Sequence, residues 1–212
     1  MVDSPKKLYW NRLRNIEMIN TIVISDLHLS RKDSNVAEFL EFIKSTPSKT
    51  LILNGDIFDQ VAFFKDWGKL YRKEHREIVK QIWTILKIRK TKIIYLIGNH
   101  DYLAFPLIPF GFFWGLKIRK RIVINNILIE HGDWITFYLW LRKIKKSEGY
   151  HENCITFAKL KNKRLIVGHS HHPEKLKVNN WIFDDGDWVE NNTYLTINGE
   201  VVELVDTLDL VL

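Results

Sequence analysis

The 212-residue chain contains a single cysteine, Cys154, so it cannot form an internal disulfide bond. A lone cysteine fits a reducing compartment, and we expect it to be a small buried residue rather than a nucleophile. Glycine and proline are also scarce, at ten and five residues, while 46% of the residues are hydrophobic. This composition excludes wholesale disorder and predicts one folded domain over residues 1–212.

Long hydrophobic runs are absent as well. The longest stretch without a charged or strongly polar residue is 103–116, which is too short to span a bilayer and is interrupted by prolines and glycines. The first twenty residues lack the apolar core and cleavage site of a secretory signal. We therefore expect a soluble cytoplasmic protein, which could still touch the inner face of a membrane.

Positive charge is in excess, with a net charge of +7. This favours an anionic partner: a phosphorylated substrate, an acidic lipid or a nucleic acid. The basic residues fall into short groups such as 117–121 and 142–146, and ordinary solvated helix and turn surfaces explain these groups equally well. Charge alone therefore does not choose among the partners.

Five nearly continuous apolar runs predict strands covered on both faces, at 21–25, 50–54, 92–97, 126–130 and 164–168. Helical patterns at 34–45 and 69–90 separate the first three. Turn signals at Asn125-Asn126 and Asn198-Gly199 add antiparallel strands to the later part of the chain. The pattern predicts an α/β protein with a mixed or two-sheet core flanked by helices.

Each of these five strands ends in side chains that can bind a metal or move a proton. In chain order they are Asp26 and His28; Asp56 and Asp59; Asn99, His100 and Asp101; His131; and His169 and His171. Any one of these breaks could be an ordinary turn. Five together predict a metal site, because ligands of open α/β sheets bind at the carboxyl ends of strands. An extended backbone would let each i, i+2 pair point to one side.

The mixture of imidazole, carboxylate and amide groups suits Mn²⁺ first, with iron and Zn²⁺ as alternatives. These candidate ligands are too many for one tetrahedral ion, but they suit two ions that share a bridging carboxylate. Two ions about 3.5–4 Å apart are a common device for in-line displacement at phosphorus, because they activate a bridging water and neutralise developing charge.

The ordered motifs DLH, GDIFD, GNHD, HGD and GHSH resemble those of the calcineurin-like metallophosphoesterases over residues 24–172. The resemblance implies a four-layer β-sandwich of two mixed sheets flanked by helices. It further implies a dinuclear centre in which Asp56 bridges the ions and Asp59 orients the catalytic His100. The first ion would be held by Asp26, His28, Asp56 and His171, and the second by Asp56, Asn99, His131 and His169.

Within that family the chain is most similar to the UDP-2,3-diacylglucosamine hydrolases, through SDLHL, HGDW and DDGDWVENNTYLTI. These enzymes cleave a pyrophosphate in a lipid-A precursor at the membrane surface. Two features differ: that branch usually has arginine in place of His100, and its helical lid is longer than residues 134–164. A general phosphoesterase is therefore an alternative.

Apolar segments with basic ends follow two of the motifs, at 102–121 and 134–164. They suit lids that meet acyl chains and anionic headgroups, although a core hairpin and a core helix explain them as well. A nuclease or cyclic-nucleotide phosphodiesterase is the second hypothesis, since aromatic and basic residues also bind single strands. A non-catalytic scaffold is the third, disfavoured because every ligand position is filled. We expect turn contacts for Asp101, and for His172 an exposed position or a contact behind the ligands. The acidic segment 184–188, which includes Asp187, either places an acid near the site or forms a turn between strands, and the oligomeric state stays open.

Overall fold

The computed structural model describes residues 18–101, 117–144, 147–176 and 182–207, which form two β-sheets and their covering helices. The strands are β1 (Ile19–Ile24), β2 (Ser48–Asn54), β3 (Lys92–Leu96), β4 (Lys117–Arg119), β5 (Arg121–Ile124), β6 (Ile127–Glu130), β7 (Arg164–Val167), β8 (Glu174–Leu176), β9 (Ile182–Asp184), β10 (Thr193–Asn198) and β11 (Val201–Asp206). All five strands predicted from the apolar runs are present, each within two residues of its predicted bounds.

The helices are α1 (Val36–Ser45), α2 (Gln60–Lys65), α3 (Arg76–Ile88), α4 (Ile135–Leu141) and α5 (Tyr150–Lys161). The pattern over 69–90 predicted one helix, but the structure divides it into a π-helical turn, Tyr71–His75, followed by α3. Within the described residues, no helix is long and apolar enough to cross a membrane.

Both sheets mix parallel and antiparallel pairs. The first has the order β11-β10-β1-β2-β3-β4, and the second has the order β5-β6-β7-β9-β8. Strands β1 to β4 are parallel, as are β6, β7 and β9, whereas β5, β8, β10 and β11 pair antiparallel. Asn125 and Asn126 turn the β5–β6 hairpin with φ of 48° and 63°, and Gly199, at φ 62°, turns β10 into β11.

The two sheets pack face to face, and helices cover both outer faces. Side chains such as Ile52 and Leu96 of the first sheet meet Ile129 and Ile166 of the second in a buried apolar layer. Helices α1 and α3 pack on the outer face of the first sheet, while α4 and α5, including the buried Cys154, pack on the second. The predicted four-layer sandwich is therefore confirmed, with burial of apolar faces as its main stabilisation.

Parallel pairing brings the carboxyl ends of β1, β2 and β3 together at one edge of the first sheet, and those of β6 and β7 together in the second. Of the proposed lid at 102–121, residues 102–116 lie outside the described residues, and 117–121 contribute β4 and the start of β5. The segment 134–164 contains α4 and α5, and a lid role for either stays a prediction.

Candidate metal centre

A first cluster of metal-binding side chains joins the ends of β1 and β7. It consists of Asp26, His28 and His171, whose ligand atoms all lie within 4.8 Å of one another. The Nε2 atoms of His171 and His28 lie 3.2 and 3.5 Å from Asp26 Oδ1 and 3.3 Å from each other. Three groups that can each bind a cation therefore point at one small volume.

A second cluster joins the ends of β2, β6 and β7 and consists of Asp56, His131 and His169. The Nε2 atom of His131 lies 3.1 Å from Asp56 Oδ2, and its ring lies 5.2 Å from that of His169. On the other side of the ring, Nδ1 donates to the carbonyl oxygen of Asn54 at 2.9 Å. That bond fixes the ring and leaves Nε2 to face the cluster, and metal-binding histidines are commonly oriented by such a bond to the other ring nitrogen.

A third group consists of His28, Asp59 and His100. Asp59 Oδ2 lies 3.4 Å from Nδ1 of His28 and 3.2 Å from Nδ1 of His100, while its Oδ1 caps α2 by accepting from the backbone N–H of Ala62. Asp59 is thus fixed by a helix start and faces both histidines. The resemblance assigned it to His100 alone; its contact with His28 was missed.

Several buried atoms of the predicted site residues have no hydrogen-bond partner among the described residues. They include Asp26 Oδ1, His131 Nε2, His28 Nδ1 and His100 Nδ1 of the clusters, and Asn99 Oδ1. Leaving a buried acceptor unpaired costs about 1–3 kcal/mol, so native proteins rarely do it without a reason. Oxygen and imidazole nitrogen atoms are donors that a Mn²⁺, iron or Zn²⁺ ion accepts. The residues present therefore fit a metal centre.

The electrostatics of the clusters favour positive charge. Burial alone would raise the pKa of Asp26, but the charge of His131 and the nearby imidazole nitrogens of His171 and His28 outweigh it and hold that pKa well below its usual range. Burial disfavours a charged His131, yet the carboxylates of Asp26 and Asp56 raise its pKa to about 10. Divalent cations would satisfy the same carboxylates.

The backbone at the i, i+2 pairs is not extended, so the condition under which both side chains of a pair would point to one side is not met. Positive φ values occur at five of the seven predicted ligands: Asp26 (54°), His28 (47°), Asp56 (51°), His169 (71°) and His171 (59°). The sharp left-handed turns separate the second pair, so that His169 joins the second cluster and His171 the first. Asp and His are among the residues that tolerate this conformation best.

Three remaining acids and histidines lie apart from the ligand atoms. Asp101 accepts from the backbone N–H groups of Asp56, Phe58 and Gly98 and from the hydroxyl of Tyr95, which confirms its predicted turn contact. Asp187 accepts from the backbone N–H groups of Val189 and Glu190, so it forms a turn. The side chain of His172 is exposed, as predicted.

Two buried residues behind the clusters, Ser25 and Asn54, were not predicted. Ser25 bonds to Asp26, Asn54 bonds to His131 through its backbone carbonyl, and Asp185 bonds to both Ser25 and Asn54. Asp185 belongs to the segment 184–188, for which an acid near the site was one of two expectations, and the structure places its carboxyl group behind the first cluster.

The sequence of residues 19–199 matches the family described as calcineurin-like phosphoesterase. The chain belongs to this family. It is therefore a hydrolase, and the two Asp/His clusters are compatible with the dinuclear metal centre that metallophosphoesterases use. No curated protein matches the chain in sequence.

Solved structures are similar to this phosphoesterase at low sequence identity. The phosphoesterase Yfce from E. coli shares 15% identity at a TM-score of 0.50, over 89% of this chain and 93% of that one. Vps29 from Chaetomium thermophilum shares 12% sequence identity at a TM-score of 0.50, and the match covers 88% of this chain and 86% of that one. The nuclease MPE from Pseudomonas putida shares 13% sequence identity at a TM-score of 0.48, and the match covers 87% of this chain and 82% of that one. At these identities the likeness shows the fold alone.

Proposed function

We propose that this phosphoesterase hydrolyses a phosphodiester or pyrophosphate bond with two divalent metal ions, Mn²⁺ first and iron or Zn²⁺ as alternatives. The observation that carries the proposal is the convergence of Asp and His ligand atoms from separate strand ends into two clusters, in which Asp26 Oδ1 and His131 Nε2 are buried without a hydrogen-bond partner among the described residues. A bound cation would satisfy such atoms.

Asp26, His28 and His171 would hold the first ion, and Asn99, His131 and His169 the second. Asp56 would be shared, since its Oδ2 faces His131 Nε2 at 3.1 Å while its Oδ1 accepts from the backbone N–H of His100 at 2.7 Å. When bound, the ions supply Lewis acidity that neutralises phosphoryl charge and lowers the pKa of a water molecule. The protein's part is to fix their positions.

His100 would protonate the leaving oxygen. Its side chain is 33% exposed, so substrate can reach it, and its Nδ1 lies 3.2 Å from Asp59 Oδ2. A carboxylate beside Nδ1 orients the ring, which leaves Nε2 to face the substrate. Asp59 is itself held by the start of α2, so the pair is oriented before substrate binds.

The substrate we propose is a lipid-linked pyrophosphate such as UDP-2,3-diacylglucosamine, bound at a membrane surface. Helix α4 starts four residues after His131 and buries Ile135 and Leu139, but it leaves Phe137 and Trp140 57% and 58% exposed. Their rings stack at 5.6 Å. Exposed Arg142 and Lys143 follow at once. An aromatic surface with a basic edge suits acyl chains below anionic headgroups.

The test of the reaction is hydrolysis of three substrates side by side, each with Mn²⁺ and with chelator. The substrates are bis-p-nitrophenyl phosphate, UDP-2,3-diacylglucosamine in detergent, and a single-stranded oligonucleotide. We expect Mn²⁺-dependent turnover of the diester and fastest turnover of the lipid nucleotide. Cleavage of the oligonucleotide alone would make the enzyme a nuclease, and no cleavage with Mn²⁺, iron or Zn²⁺ would refute the proposal.

The membrane contact is tested by sedimentation with anionic and with neutral phospholipid vesicles. We expect wild type to sediment with anionic vesicles, and the double variant Phe137→Ser/Trp140→Ser to stay in the supernatant. The matched control is Val201→Ser, because Val201 is 57% exposed on β11. Equal sedimentation of the double variant and the control would show that the aromatic side chains of α4 do not bind the membrane.

A further inference from the structure

A fully buried carboxyl group, that of Asp185, lies behind the first cluster. It follows β9 in the second sheet and reaches across to the first sheet, where its Oδ1 lies 2.8 Å from Ser25 Oγ. Its Oδ2 accepts from Nδ2 of Asn54 at 3.4 Å. Because its side chain is buried and bonded on both oxygens, its environment is defined well enough to count donors and acceptors.

The hydroxyl of Ser25 has more hydrogen-bond acceptors around it than it has protons to donate. That hydroxyl is within hydrogen-bond distance of two carboxylates, Asp26 and Asp185, and it lies 3.1 Å from the carbonyl oxygen of Gly186. A serine hydroxyl has one proton, so it can donate to only one of these acceptors. If both carboxyl groups were ionised, one of them would face the lone pairs of Ser25 Oγ in a site from which water is excluded.

We propose that Asp185 is a neutral carboxylic acid that positions the metal ligand Asp26 through Ser25. The Oδ1–H of Asp185 donates to Ser25 Oγ, and the Ser25 hydroxyl donates in turn to Asp26 Oδ2. Every hydrogen atom in this arrangement has an acceptor, and Asp26 keeps the negative charge that a ligand needs. The inference rests on the proposed function, because it takes Asp26 to be a metal ligand.

The consequence for Asp26 is that its two oxygens are unequal. Oδ2 accepts from Ser25 Oγ and from the backbone N–H of His169 at 3.0 Å, whereas Oδ1 has no hydrogen-bond partner among the described residues and lies 3.2 Å from His171 Nε2. Asp185 and Ser25 thus hold the rotation of the carboxylate so that Oδ1 faces the cluster. A ligand fixed in this way loses less rotational entropy when it binds a cation.

Two further observations agree with a neutral Asp185. Burial raises the pKa of its carboxyl group well above the usual range, and the nearby charges of Asp184 and Asp26 raise it further. The amide of Asn54 donates to Oδ2, the oxygen that would be the carbonyl of the neutral acid. The backbone carbonyl oxygen of Asn54 accepts from His131, so the residue whose side chain contacts Asp185 also contacts the second cluster through its main chain.

The test compares Asp185→Asn, Asp185→Ala and Ser25→Ala by calorimetric titration of the metal-free protein with Mn²⁺. Asparagine keeps a neutral donor toward Ser25 Oγ, so we expect wild-type affinity. The two alanine variants lose the hydrogen bonds that connect Asp185 to Asp26 through Ser25. We expect their affinity for Mn²⁺ to fall about 10–100-fold, as when other residues that hold a metal ligand in place are removed. The matched control is Thr193→Val, which removes a buried hydroxyl bonded to the carbonyl oxygen of Asp185 and leaves its carboxyl group untouched.

A second readout concerns the proton itself. We expect the infrared spectrum of the metal-free protein at neutral pH to contain a carboxylic-acid band that Asp185→Asn removes. Ser25→Ala, which deletes a single hydroxyl and serves if Asp185 variants do not fold, should shift that band to higher frequency. Absence of the band, or equal Mn²⁺ affinity in wild type and Ser25→Ala, would overturn the inference. If the wild-type protein binds no Mn²⁺, the proposed function is refuted. The infrared spectrum would still show whether Asp185 is protonated.

Discussion

Gly98 separates the second cluster from the end of β3, and Gly98→Ala should damage the metal site without removing a single ligand. The φ of Gly98 is not in the left-handed region, so alanine fits the backbone there. An added Cβ, however, would lie 2.2 Å from Asp56 Oδ1, 2.5 Å from the backbone nitrogen of Asp56 and 2.8 Å from His131 Cδ2. The methyl group would therefore wedge between two proposed ligands.

The magnitude follows from these distances. Real Cβ contacts stay above 3.0 Å, so Asp56 Oδ1 must move by about 0.8 Å, the difference between 3.0 and 2.2 Å. Metal sites tolerate displacements of only about 0.2 Å in ligand distance. Overpacking costs about 1–3 kcal/mol, which lowers the Tm of a domain of this size by about 2–12 °C. A misplacement near 1 Å lowers kcat by about 100-fold.

The assay is Mn²⁺-dependent hydrolysis of bis-p-nitrophenyl phosphate, together with calorimetric Mn²⁺ affinity and thermal unfolding. The matched control is Gly149→Ala, also outside the left-handed region, where the Cβ meets only the carboxyl tip of Glu152, an exposed side chain that can rotate away. We expect the control to behave like wild type. Wild-type affinity and kcat in Gly98→Ala would show that Asp56 and His131 are not ligands.

Two further predictions concern His100 and His151. His100→Gln should lower kcat by about 10²–10⁴-fold and leave Mn²⁺ affinity unchanged, because the imidazole supplies a proton and no ligand atom; a parallel loss of affinity in calorimetry would contradict this role. The hydrogen bond with Asp184 raises the pKa of His151 above 6.5, although burial opposes it. The stabilisation is therefore fully present below the unfolded pKa of 6.5 and lost as pH rises through the folded value. The difference in Tm between wild type and His151→Gln should accordingly become smaller as the pH rises above 6.5, and a constant or growing difference would argue against the charged pair.

The layers of the fold were predictable from the sequence because the long strands are nearly continuous apolar runs. The runs that became β1, β2 and β3 are short, apolar and bounded by polar turn residues, which is typical of strands covered on both faces. Short strands were not predictable. Strand β4, over Lys117–Arg119, is basic and, within the part of the chain that the structure describes, pairs with β3 alone, so its position in the sheet depends on tertiary contacts rather than on a local pattern.

The predicted ligands were recognisable because each follows shortly after a strand, and the ends of parallel strands lie together at one edge of a sheet. The contacts that hold the ligands in place could not be recognised in this way. Asp185 is 160 positions from Ser25 in the chain, and their contact exists only because the two sheets pack together. Asp59 illustrates the same limit, since its contact with His28 depends on where α2 begins. The sequence pattern therefore indicates which side chains can bind a metal, whereas the packing of the two sheets and of α2 determines how these side chains are oriented.

The left-handed turns explain why no single motif could have predicted the geometry of the site. A left-handed residue costs about 1–2 kcal/mol, so the five ligand turns must be stabilised from outside themselves. Each turn is held by another: the backbone N–H of Asp26 donates to the carbonyl oxygen of Gly55, that of His28 donates to Asp56, and that of Gly168 donates to His131. The loops therefore hold one another in place across the two sheets. Displacing one of them should disturb ligands of both clusters, because no ligand loop reaches its conformation alone.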